Sequence, residues 1–226
     1  MIGTIVNTVC ILVGSIVGSI LKKGIKEEYQ SALFTAMGFA ATALGVNAIV
    51  QNMPNSEYPV LFIASLSIGG LIGTIIDFDG KFKKVVDRFS KTDLSKGLST
   101  AILLFCIGTL SILGPVESAL HHNHTYLFTN ATLDLVTSMA LAATYGIGIA
   151  FAAVVLFCWQ GSIFLCAKYI EPFLTNELMT EVSIVGGILI LSSGLSILGI
   201  KDSKSLNLLP ALFVPVLWFI ILAFFK

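Results

Sequence analysis

The stretch LVTSMALAATYGIGIAFAAVVLFCWQGSIFLCA, Leu135 to Ala167, carries no charged residue over thirty-three positions. As one straight helix it would measure about 50 Å, against an apolar bilayer core of roughly 30 Å. It therefore has to tilt strongly, break, or turn back. Two break points are visible within it, Gly146-Ile147-Gly148 and Gln160-Gly161-Ser162. The part from Leu133 to Tyr145 is short and rich in small and hydroxyl residues, and reads as a half-helix or re-entrant segment. The part from Ile149 to Tyr169 is long enough to cross. Non-helical backbone at this depth must be surrounded by protein or water, not lipid.

Working outward, six further uncharged runs have spanning length: Ile2–Leu21, Ser31–Val50, Tyr58–Ile76, Gly97–Gly114, Val182–Ile200 and Ser205–Phe225. The composition agrees. The 226 residues are 56% hydrophobic and only 12% charged, about half the charge of an ordinary soluble domain. One core of this size could not hide that much apolar surface from water. The first run has no positive segment before it and is full length, so it reads as a retained helix and not as a signal peptide. The expectation is an all-α polytopic membrane protein, a single transmembrane domain over 1–226. It has about seven transmembrane helices plus one broken or re-entrant segment.

Net charge is zero, but its distribution is informative. Nine of the thirteen basic residues fall in two places: Lys22, Lys23 and Lys26, then Lys81, Lys83, Lys84, Arg88, Lys91 and Lys96. Residues 51–57 and Pro115 to Asp134 contain none. Positive loops stay cytoplasmic, which puts the amino terminus outside a bacterial plasma membrane. A re-entrant 133–147 gives seven crossings with the carboxyl terminus inside. A full crossing gives eight, with Lys226 outside.

Internal similarity is present in two registers. Gly14-Ser15-Ile16-Val17 resembles Gly161-Ser162-Ile163-Phe164, and Gly38 and Gly45 match Gly187 and Gly194. These suggest repeat halves 1–78 and 148–226 joined by 79–147. In a second register, Leu110-Ser111-Ile112-Leu113-Gly114 recurs as Leu195-Ser196-Ile197-Leu198-Gly199, and the first helix resembles the third around Gly69 and Gly73.

The glycines Gly14, Gly18, Gly69, Gly73, Gly187 and Gly194 are read as helix-packing positions. GxxxG spacing puts two glycines one turn apart on one face, so that a neighbouring backbone can approach closely. The sharper reading is a homodimer face or a sliding surface.

Polar side chains at membrane depth cost free energy and often serve function. Asn7, with Thr4 and Thr8 beside it, Asn47, and Gln160 need a partner helix or a wet cavity. Asp134 opens the short segment, where a carboxylate would cap free amides and complement the helix dipole. Its alternative role is to bind a cation or carry a proton, with Thr137, Ser138, Thr144 and Tyr145 lining the same cavity. Glu117 is a second acidic candidate. The substrate- or ion-binding candidates are thus Asn7, Asp134, Thr137, Ser138, Gly146, Gly148 and Gln160.

Other chemistries find little footing. No basic patch interleaved with aromatics speaks for nucleic acid. Cys10, Cys106, Cys158 and Cys166 all lie in apolar runs, with no CxxC pair, and read as packing residues instead of a disulfide frame or zinc site. His121, His122 and His124 form one short loop cluster, read as solvated and not as a metal site. There is no GxSxG, HExxH or Walker loop. The expectation is no enzyme, no cofactor and no bound metal, with the lipid bilayer and a small solute or ion as partners.

Gly3-Thr4-Ile5-Val6-Asn7, running into Gly14-Ser15-Ile16-Val17-Gly18 and Leu21-Lys22-Lys23-Gly24, resembles the start of the YqgA-like bacterial membrane proteins. The resemblance continues through Asp134, Thr137-Ser138, Gly146-Ile147-Gly148, Gln160-Gly161-Ser162, and Gly194 to Gly199 followed by Leu209-Pro210-Ala211. It covers essentially the whole chain. It implies a multi-pass inner-membrane protein of a group classed as a domain of unknown function and labelled as candidate transport proteins. It supplies no binding residues. The functional expectation is a small-solute or ion transporter, coupled to ions or protons because no nucleotide site exists. The alternative is a non-transporting scaffold or partner subunit packed through glycine-rich faces.

Overall fold

The described residues form ten α-helices in succession and no strand. They are α1 (Ile2–Lys22), α2 (Glu27–Asn52), α3 (Leu61–Ile76), α4 (Phe78–Val86), α5 (Leu94–Ile107), α6 (Thr109–Leu120), α7 (Thr125–Tyr145), α8 (Phe151–Ile170), α9 (Asn176–Ile197) and α10 (Phe213–Phe225). The computed structural model describes residues 1–22, 27–86, 94–107, 109–201 and 203–225. Lys23, Gly24, Lys26, Arg88 and Lys91, which carry part of the charge argument and of the family resemblance, lie outside them.

Four of the described helical stretches are long and apolar enough to cross a membrane: Ile2–Lys22, Ile147–Tyr169, Asn176–Ile197 and Ser205–Leu222. Two bent pairs raise this to six: Leu61–Ile76 with Phe78–Lys84, at 44°, and Leu94–Cys106 with Leu110–Leu120, at 45°. The chain is an all-α polytopic membrane protein. Its surface fits that solvent. On α1, Ile2, Ile5, Val9, Val13, Ile16 and Ile20 are exposed while Thr4, Asn7 and Ser15 are buried. Polar groups face inward and branched apolar groups face outward, as a lipid solvent requires.

Chain contacts divide the molecule into two units, each built from two separate stretches. The first comprises Met1–Met37 and Asp87–Glu171, and the second Gly38–Val86 and Pro172–Lys226.

In the first unit α1 lies along α7 for its whole length. Gly3 meets Leu127, Gly14 meets Leu135 and Ser138, Gly18 meets Met139 and Ala143, and Lys22 reaches Gly146. Residue numbers climb together on both helices, so the pair is parallel. Methyl groups at Gly14 or Gly18 would collide with α7 backbone, which shows how close the two helices come. α8 packs on α6, α1 and α5.

Three expectations change here. The segment expected to be a half-helix from Leu133 is the second part of the 21-residue α7, which begins at Thr125. Its polar start continues the helix because side chains bond within it: Thr132 Oγ1 donates to the Phe128 carbonyl at 3.0 Å. Asp134 is therefore mid-helix and caps nothing. The break at Gly146 is present, with φ +90° followed by the 3-10 turn Ile147–Ala150. That at Gln160-Gly161-Ser162 is not, because these residues lie inside continuous α8. A single glycine there costs only about 1 kcal/mol against alanine, too little to break a packed helix.

In the second unit α9 packs antiparallel to the later part of α2: Gly45 opposes Gly187, and Gly194 opposes Thr42 and Gly38. The Gly69/Gly73 face of α3 receives the 3-10 segment Ser205–Leu212 at Ala211 and Asn207. Asp77, at φ +54°, ends α3 and starts the bend into α4.

Candidate functional site

The buried face of α1 repeats at helical spacing: Gly3, Thr4, Asn7, Ile11, Gly14, Ser15 and Gly18. The face of α7 toward the unit's interior carries Asn130, Asp134 and Ser138, while Leu133 and Val136 point outward. Together they place a polar seam inside the tightest helix pair of the unit.

Asp134 is its centre. It is 5% exposed, and its Oδ2 accepts a hydrogen bond from Asn130 Nδ2 at 2.9 Å, one turn back on the same helix. It has no ion-pair partner among the described residues. Asn7 approaches the same carboxyl group from α1. However, neither its Nδ2 nor its Oδ1 completes a hydrogen bond with a described residue. Asn7 is fully buried, as are Thr4 and Ser15, whose hydroxyls also have no partner among the described residues. Buried polar groups without partners are rare in folded proteins, because each forfeits its hydration. Four such atoms on one helix face mark a place built for something besides packing. Cys10 and Cys106 lie within electrostatic reach of Asp134.

The other candidates fall elsewhere. Ser138 Oγ is bonded to the Leu135 carbonyl at 3.0 Å and packs on Gly14. Thr137 is half-buried beside it. Gly146 and Gly148 are twelve and fourteen residues past Asp134, or about 20 Å along a helical path. They form the end of the seam, where Leu94 covers Gly148 and the Lys22 amine comes near Gly146. Thr144 and Tyr145 are buried at that same end, and the Tyr145 ring lies over Gly97. Gln160 is buried and donates from Nε2 to Ser111 Oγ at 3.1 Å, tying α8 to α6. Its Oε1 has no partner among the described residues, and no hydrogen bond among them joins it to Asp134. Asn47 is exposed and bonded to Gln51.

The histidines do not converge. His121 pairs with Glu117 at 3.2 Å and His124 Nδ1 lies 2.8 Å from Ser118 Oγ. No group of three His, Cys, Asp or Glu among the described residues is arranged to hold a metal ion.

One buried carboxylate escapes a sequence reading. Glu181, 1% exposed on α9, accepts from Ser56 Oγ at 2.5 Å and from the Tyr58 amide at 3.3 Å, while Oε2 is unpartnered among the described residues. Reading Val182 as the start of a span left Glu181 outside it. The helix begins at Asn176, capped by Thr175 accepting from the Leu178 amide at 3.2 Å. The signal was that cap: a threonine one residue before Asn176 moves the helix start upstream of Glu181.

Residues 2–220 match the family model described as protein of unknown function, DUF554. The chain belongs to the DUF554 family. It is 63% identical over 225 residues to the uncharacterized membrane protein YdfK of Bacillus subtilis, covering 99% of this chain and 98% of that one. It is 26% identical over 227 residues to the uncharacterized protein YqgA of Escherichia coli, covering 96% and 95%. The second relative is the one whose family the opening glycine pattern resembles. No solved structure matches the chain.

Proposed function

We propose that this DUF554 protein is a transporter or permease for a small solute or ion, driven by an ion or proton gradient and not by ATP. The supporting observation is the buried seam between α1 and α7, where the Asn7 amide approaches Asp134 and completes no hydrogen bond among the described residues. A polar site enclosed by helices at membrane depth is the arrangement that transporters use to hold a solute away from lipid. No enzymatic chemistry is assigned to it. Asn7, Asn130 and Asp134 line the site, and Gly146–Gly148 forms a hinge at its end.

The membrane arrangement belongs to the same reading. α7 matches α1 in length and direction, which favours a full crossing over a re-entrant loop. With the basic segments inside a bacterial plasma membrane, the amino terminus is outside, the chain crosses eight times, and Lys226 is outside. The scaffold alternative needs free glycine faces. Gly14, Gly18, Gly69 and Gly73 are each filled by the same chain, so a homodimer would use another surface.

The test is electrical. The protein is reconstituted on a solid-supported membrane and exposed in turn to amino acids, organic acids and inorganic ions. At least one should evoke a transient current that Asn7→Ala and Asp134→Asn abolish. Silence across the panel, with folded protein shown to be present, would overturn the reading.

A further inference from the structure

We infer that α4, with the bend before it, is a docking surface for the headgroups of anionic phospholipids, which Lys81, Lys83 and Lys84 attract. The inference does not depend on the transporter reading.

The first observation is depth. α3 has 16 residues and rises about 24 Å, short of an apolar bilayer core of roughly 30 Å. The crossing is completed only with α4, which leaves α3 at 44°. Leu71, Ile75 and Phe78 are apolar and exposed, Ile75 at 83%. The next exposed side chains are Lys81, Lys83 and Lys84. The edge of the hydrocarbon therefore falls between Phe78 and Lys81, and the three amines stand at headgroup depth.

The second is arrangement. α4 runs from Phe78 to Val86. At helical spacing Phe78 and Phe82 share one side. Lys81 and Lys84 lie to one flank of it and Lys83 to the other. An apolar stripe between flanking lysines is the pattern of a helix at a membrane interface, its amines reaching up to phosphate. Asp77 and Asp79 belong to the amino-terminal end of α4, where the helix dipole favours negative charge.

The third is that the chain leaves these charges unanswered. None of the three side-chain amines makes an ion pair or hydrogen bond among the described residues. The bend itself is fixed. The Asp79 amide donates to Asn207 Oδ1 at 2.8 Å, and the Gly80 amide to Asp77 Oδ1 at 3.3 Å. A short helix tied down at its start holds positive charge at headgroup depth, and the phosphodiester of an anionic lipid answers it. Zwitterionic lipids bring no net charge. An acidic protein or a nucleic acid would have to displace the headgroups already at that depth.

The experiment is a quenching comparison at the helix itself. Phe82→Trp is placed in a Trp159→Phe, Trp218→Phe background, which removes both native tryptophans. The full chain, reconstituted in phosphatidylcholine vesicles, then reports only from α4. Brominated phosphatidylglycerol should quench at about one fifth of the content needed with brominated phosphatidylcholine, or less, the worth of one lysine or more. Lys81→Gln, Lys83→Gln and Lys84→Gln together should bring the two quenchers to parity, and three Lys→Arg changes should keep the preference. Lys168→Gln, in the last turn of α8, should leave it unchanged. The preference should shrink in about 1 M NaCl. Equal quenching by the two lipids, or a preference that survives the triple Gln variant, would overturn the inference. So would relief of the quenching by millimolar inorganic phosphate, which would mark a site for a free anion. Should the triple variant not fold, the single Lys→Gln variants decide: a preference unchanged in all three overturns it.

Discussion

Gly45 and Gly187 face each other across the antiparallel contact of α2 and α9. A methyl group on Gly187 would lie 2.9 Å from the Gly45 carbonyl oxygen, and one on Gly45 would lie 2.7 Å from the Gly187 carbonyl oxygen. The pair Gly38 and Gly194 repeats the contact two turns away. Two glycines seven residues apart on each helix are what such a crossing requires, with or without a duplication event. Gly187→Ala forces backbone apart instead of a flexible side chain. It should cost about 1–3 kcal/mol, read as a lower unfolding temperature in detergent. An unchanged temperature would mean that the contact is looser than described.

Asn7 makes the opposite prediction. Its buried amide completes no hydrogen bond among the described residues, so removing it removes a desolvation penalty. In detergent, Asn7→Ala should fall within about 1 kcal/mol of wild-type stability or above it, while solute currents are lost. A loss well beyond that would show the amide to be structural.

The Glu181 carboxylate separates charge from hydrogen bonding. Glu181→Gln keeps an oxygen for Ser56 Oγ and the Tyr58 amide, and should cost less than about 1 kcal/mol. Glu181→Ala leaves the Ser56 hydroxyl without its acceptor, although the Tyr58 amide keeps Ser56 Oγ at 3.2 Å, and should cost about 1–3 kcal/mol. Equal losses in the two variants would mean that the negative charge itself is required.

Gly146 has φ +90° and ψ −173°, a region that side chains rarely enter. A Cβ there would make only ordinary van der Waals contact, its nearest atom being Lys22 Nζ at 3.6 Å. Gly146→Ala should therefore lose about 1–3 kcal/mol through backbone strain alone. If stability is unchanged, the turn can be made in another conformation.

Topology gives the last prediction. In a cysteine-free background, His122→Cys and Pro172→Cys should both react with an impermeant maleimide on intact cells, and Lys204→Cys only after permeabilisation. Protection of position 172 together with reaction at 122 would restore the seven-crossing arrangement.

Much of the fold was legible because lipid imposes a simple rule: a spanning segment excludes charge. That rule also set the errors. The charged Asp134 cuts Thr125 to Thr132 off from the uncharged run, so that it reads as loop, although Thr132 bonds back into its own helix. Glu181 reads as a boundary because it is charged, although Ser56 and Tyr58 receive it in the interior. Asn7 and Asp134 stood out individually as costly residues. Their adjacency did not, because 127 positions separate them in the chain and only the parallel packing of α1 and α7 unites them.

That packing has a consequence for synthesis. α1 leaves the ribosome well before α7, the partner that packs along Thr4, Asn7 and Ser15. At ordinary elongation rates about 5–20 s pass between the two. Through that interval a nascent α1 displays its amide and hydroxyls to lipid or to whatever the insertion machinery offers. Chains that stall before residue 125 would present this face permanently, a ready mark by which membrane quality control could tell an unfinished copy from a finished one.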